Sequence, residues 1–75
     1  MTTTEFHELV ELARPIDDGD SGSPRQVYLE NMVWTELITH LSPTQYDELE
    51  VWCSHAGTDE RLNRALSLWD SMGIE

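Results

Sequence analysis

Apolar residues recur at helical spacing along most of the chain. Phe6, Leu9, Val10 and Ala13 stand at i, i+3, i+4 and i+7 and predict a first amphipathic helix from about Thr4 to Ala13. Glu5, Glu8 and Glu11 take the opposite edge. Thr2 or Thr4 can cap the start, and Pro15 stops the helix by disfavouring helical geometry at Arg14. A second helix is expected from Ser23 as N-cap and Pro24 as first residue to about Leu41. Val27, Trp34, Ile38 and Leu41, with Leu37 beside them, make its main stripe, while Tyr28, Leu29, Met32 and Val33 lie on other sides. A helix apolar nearly all round is central in its bundle or buries a second face against a partner.

Ser42-Pro43-Thr44-Gln45 combines an N-cap, a proline at the first position and a capping-box glutamine, and so opens a third helix. Its expected buried stripe is Tyr46, Leu49, Trp52, Cys53 and Ala56, with Gly57 ending it in a left-handed turn. Thr58 is expected to cap a fourth helix, with Leu62, Ala65, Leu66, Trp69 and Met72 on one face. Gly73 would end it, and Ile74 would fold back on the cap. The short links between helices two, three and four require successive helices to fold back on one another. No segment alternates as a strand would, so the expected fold is all-α: a compact bundle of about four short helices. It forms a single domain over 1–75, with a flexible acidic loop at about 15–23.

Charge changes this picture. Fifteen acidic residues stand against four arginines and no lysine, for a net charge of −11. Such a surface repels nucleic-acid backbones and anionic lipid heads, which argues against direct nucleic-acid or membrane binding, and it attracts basic protein surfaces. A solvated acidic face, salt adaptation or arginine use in a GC-rich genome would account for the same balance. The 39% apolar content and three tryptophans favour a folded domain over disorder. Cys53 is the lone cysteine, which excludes an internal disulfide and points to a reducing, cytoplasmic setting. No apolar run approaches the roughly 20 residues that span a bilayer, and the start carries no signal or transit pattern.

Candidates for chemistry are few. The chain has no phosphate-binding glycine loop, dinucleotide fingerprint or paired-histidine zinc motif. Cys53 and His55, two apart on a helix, diverge by about 200° and share no ligand. Taking Asp18 as the first ligand of a calcium loop leaves Leu29 at the closing position and no glycine at the sixth, so Asp17, Asp18 and Asp20 read as a solvated loop. For carboxylate pairs such as Glu5 with Glu8, nothing in the sequence argues for a pocket that would fit them for acid–base work, and a solvated face is the expectation. No enzyme activity, cofactor or metal is expected. Trp34, Trp52 and Trp69 read as core, with interface anchors as the second option.

Three acidic rows remain: Glu5/Glu8/Glu11, Asp17/Asp18/Asp20 and Asp47/Glu48/Glu50. In size, charge, lack of lysine and these rows the chain resembles, as a class, the small acidic inhibitor proteins that phages direct against host defence. Anti-CRISPR and anti-restriction proteins are among them. The resemblance implies a non-enzymatic inhibitor that imitates nucleic acid and sets these nine carboxylates against a basic, nucleic-acid-binding surface of its target. The alternative is a helical adaptor, antitoxin or regulatory subunit that binds through the apolar residues of the second helix. That surface would also allow a homodimer.

Overall fold

A computed structural model describes residues 1–73 and contains four helices: α1 Thr3–Ala13, α2 Pro24–Ile38, α3 Pro43–Cys53 and α4 Thr58–Met72. Each start follows from local chemistry. Thr2 caps α1 in a full capping box, its hydroxyl accepting from the Glu5 amide while the Glu5 carboxylate accepts from the Thr2 amide. Ser42 and Gln45 do the same for α3, and Ser23 caps α2 ahead of Pro24. The fourth start differs from expectation. Gly57, in extended conformation, is the N-cap, and Thr58 is the first helical residue. The expected left-handed turn at Gly57 is therefore absent. Gly73 does end α4 in the left-handed region, at φ 67°. The contact expected of Ile74 lies outside the described residues.

Arg14 adopts extended geometry ahead of Pro15 and closes α1. α2 stops at Ile38, short of Leu41. The amides of His40 and Leu41 bond three residues back, to Leu37 and Ile38, so the last turn tightens before Ser42-Pro43 begins the next helix.

The core is made by α1, α2 and α4. Phe6, Leu9, Val10 and Ala13 meet Val33 and Leu37 and, from α4, Leu62, Ala65 and Trp69. Trp69 stacks on Phe6 with ring centroids 4.0 Å apart, His40 meets its ring edge-on at 5.7 Å, and its indole N–H donates to the Thr3 hydroxyl. Leu66 and Met72 are half-buried against this cluster. α3 packs less closely, and Leu49 is its one buried residue. The molecule measures 33 × 27 × 16 Å. Its thickness matches about two helix layers, so every helix keeps a face toward water.

No described helix is long and apolar enough to cross a membrane.

Candidate functional site

The buried side of α2 is Gln26, Glu30, Val33 and Leu37, which follow helical spacing at i, i+4, i+7 and i+11. This corrects the stripe expected from sequence. Val27 is exposed, Trp34, Ile38 and Leu41 are only half-buried, and of that set Leu37 alone is in the core. The two polar residues turn inward because the interior offers them partners. The Gln26 side-chain amide donates to the Ala13 carbonyl at 3.1 Å, satisfying the end of α1, and to Glu30 at 3.0 Å. Glu30 receives Arg61 Nε at 2.8 Å, Arg61 Nη2 at 3.2 Å and the Trp34 indole N–H at 3.1 Å. Burial pushes the Glu30 carboxyl upward in pKa, but the bonds from Arg61, Gln26 and Trp34 outweigh it and hold the carboxyl below its ordinary range. Arg61 continues to the Ala56 carbonyl and the Thr58 hydroxyl, tying α2 to the turn between α3 and α4.

With that side of α2 inward, a second apolar stripe is left outside the core. Trp34 and Ile38 of α2 and Tyr46, Leu49, Glu50 and Cys53 of α3 line a groove of about 240 Å³. Tyr46, expected in the core, is 42% exposed and forms part of this wall. Cys53 and Ala56 are half-buried rather than core. Burial raises the Cys53 thiol pKa. Trp52, also expected in the core, is 36% exposed on the side of α3 facing α4, with the Arg64 guanidinium 5.3 Å over its ring. These residues differ from expectation because α3 carries apolar side chains on two sides, so its sequence does not say which side packs.

Around the groove the outer face of α2 is mostly uncharged, with half-buried Glu36 at its edge beside Met32 and Thr35. Its exposed residues are Pro24, Val27, Tyr28, Asn31, Met32 and Thr35, all uncharged. The outer faces of the other helices do carry charge: Glu8 and Glu11 on α1, Asp47, Glu48 and Glu50 on α3, Asp59, Glu60 and Asp70 on α4.

Of the nine carboxylates expected to bind a partner, several are bonded within the protein. Glu5 serves the α1 capping box, and the Thr2 bonds lower its pKa. Glu11 pairs with Arg14 at 2.9 Å. Asp20 is structural: it accepts from the Ile16 amide, the Ser23 hydroxyl and Arg25. Arg25 first, then Ser23 and the Ile16 amide, hold its carboxyl well below the usual range. Asp17 accepts from the Gly19 amide. Asp17 and Asp18 join Asp59 and Glu60 along a shallow cleft between the loop and the start of α4. Glu8, Asp47, Glu48 and Glu50 are exposed and, among the described residues, in no ion pair.

Among the described residues no three His, Cys, Asp or Glu side chains are disposed to hold a metal ion. Of the groove wall, the sequence predicts Glu50 as a partner-binding residue, whereas it places Trp34, Ile38, Tyr46, Leu49 and Cys53 in the core. Gln26, Glu30, Val33 and Leu37 also keep helical spacing, but so does the more apolar Val27-Trp34-Ile38 set, and the pairing of Glu30 with Arg61 lies 31 residues away in sequence. No family model matches the chain, and searches of curated proteins and of solved structures give no match either.

Proposed function

We propose that this protein is a non-catalytic binding module that docks on a protein partner through the mostly uncharged outer face of α2 and the groove beside it. One observation carries this reading: in a chain of net charge −11, the six exposed residues of one helix are all uncharged and include Val27, Tyr28 and Met32, with half-buried Glu36 at the edge of that face. Protein interfaces are built this way, with an apolar centre rich in aromatic residues and methionine and a charged rim. The rim here is the acidic surface of the neighbouring helices. Inhibition of a basic host-defence protein, as the small phage inhibitors achieve it, is one use of such a surface.

A second reading places affinity in the carboxylates themselves, as in a nucleic-acid mimic. The exposed, unpaired Glu8, Asp47, Glu48 and Glu50 favour it.

The two readings separate by capture of partners from a lysate at low and high ionic strength, with three variants. Apolar docking weakens only severalfold at high salt, persists when Glu5, Glu8 and Glu11 become Gln, weakens only severalfold when Asp47, Glu48 and Glu50 become Asn, Gln and Gln, and is lost in Met32→Glu. Carboxylate docking weakens steeply with salt and is lost in a triple variant. A folded Met32→Glu protein that captures the same partner at full strength overturns the proposal.

A further inference from the structure

We infer that the groove between α2 and α3 receives one large apolar side chain from a basic amphipathic helix of a partner protein, an inference that rests on the docking surface proposed above.

Four observations fix the chemistry of the occupant. First, the walls of the groove are Trp34, Ile38, Tyr46, Leu49 and Cys53, so its floor selects an apolar group. Its volume, about 240 Å³, falls below the roughly 300–1,000 Å³ of small-molecule sites. It suits a single anchor of leucine or phenylalanine size. Second, the described residues contain no strand, so no sheet edge is offered to an extended peptide. A cleft between adjacent helices is instead filled as a third helix fills a bundle, with anchors at i, i+3, i+4 and i+7. The distance from Val27 to Ile38 along α2 allows such a helix about three turns of contact.

Third, the one charged residue in the wall is Glu50, with Asp47 one turn away on α3. Neither is in an ion pair among the described residues. Fourth, the four arginines are engaged elsewhere. Arg14, Arg25 and Arg61 hold Glu11, Asp20 and Glu30, and Arg64 lies over Trp52. None of the four arginines is paired with Glu50. A partner helix with lysine or arginine flanking its apolar anchor completes this rim, and the net charge of −11 steers it in. A second copy of the chain does not fit, because it would bring −11 against −11 across an acidic rim.

The test uses the whole protein, isotope-labelled, and three synthetic helical peptides of about four turns. One has leucine anchors flanked by lysines. The second replaces the lysines by glutamates, and the third keeps the lysines but replaces the leucines by serines. The lysine–leucine peptide is expected to shift the resonances of Trp34, Ile38, Tyr46, Glu50 and Cys53 and to bind at least ten times more tightly than either control. Tyr46→Ala, at a position 42% exposed, is expected to stay folded by circular dichroism and to weaken binding about tenfold. Glu50→Gln should weaken it about two- to fivefold, the size of one exposed pair. Equal binding of the glutamate peptide overturns the inference. Equal binding of the serine peptide, with shifts confined to carboxylates, overturns it in favour of docking by charge alone. Failure of every peptide to bind, with lysate capture still lost in Met32→Glu, overturns the helix occupant while leaving the proposed function standing. Self-association of the free protein that buries Trp34 and Tyr46 overturns it in favour of a second copy.

Discussion

Arg61 grips Glu30 with two nitrogens, Nε on Oε2 at 2.8 Å and Nη2 on Oε1 at 3.2 Å, and this pair sets the rotation of α2. Glu30 is 8% exposed, so its charge is costly without that partner. Arg61→Met should therefore destabilise the fold by about 3 kcal/mol, the lower end for breaking a buried pair, since Arg61 keeps a quarter of its side chain in water. The double variant Glu30→Met/Arg61→Met should recover much of the loss. Urea melts of the two single variants and the double variant measure the coupling. Additive losses would show that the pair does not act as a unit.

Trp69 and Trp52 should respond differently to truncation. Trp69 is 1% exposed and stacked on Phe6, and Trp69→Ala should cost roughly 3–5 kcal/mol. That is comparable to the whole stability of a chain this small. Trp52 lies at the surface under Arg64, where a cation–π contact contributes about 0.5–1 kcal/mol. Trp52→Ala should remain folded, with only a modest fall in melting temperature by circular dichroism. A Trp52→Ala protein that unfolds would place α3 in the core.

The starts of α1, α2 and α3, the stripe of α1 and the centre of the α4 stripe at Leu62, Ala65 and Trp69 were legible in the sequence because each rests on a local rule. Caps at Thr2, Ser23 and Ser42 need only a few neighbouring residues, and Phe6-Leu9-Val10-Ala13 has one apolar side. α2 was misread because Val27-Trp34-Ile38 and Gln26-Glu30-Val33-Leu37 both keep helical spacing, and hydrophobicity alone ranks the first higher. The choice was made by Arg61, 31 residues away, which no local pattern can show. The same non-local pairing hid the groove and left the acidic rows looking alike, although Glu5, Glu11 and Asp20 are committed to the fold.

The loop after α1, expected to be flexible, is organised by Asp20, which joins Ile16, Ser23 and Arg25, while the Ser21 and Thr58 hydroxyls lie 2.7 Å apart. Asp20→Asn should lower the melting temperature near neutral pH and make residues 16–22 the first site of limited proteolysis. The folded carboxyl has a pKa below its unfolded value of about 3.9. Its stabilisation is therefore complete above the unfolded value and is lost as pH falls through the folded one. The difference in melting temperature between wild type and Asp20→Asn should be full at neutral pH and should shrink from about pH 4 downward. A difference independent of pH would assign the effect to loop geometry rather than charge.

α3 should be the first helix to open. Leu49 is its one buried residue, whereas α1 buries four and α4 three. Local opening is favoured where little apolar contact is lost, so amides of α3 should exchange faster than those of α1, α2 and α4. Cys53 gives the same opening a chemical readout. Its thiol is half-buried in the groove wall, and burial raises its pKa, so in the closed form little of it is the reactive thiolate at neutral pH. Labelling by a disulfide reagent should be slow in the wild type and should accelerate as pH rises toward the raised pKa. Leu49→Ala removes the one buried contact and should speed labelling several-fold at neutral pH while circular dichroism still reports four helices. A basic amphipathic peptide in the groove should slow it. Cys53 labelling as slow in Leu49→Ala as in wild type would mean that α3 is held by more than this leucine. Arg61, which anchors the Ala56 carbonyl at 2.9 Å, would then be the next residue to test.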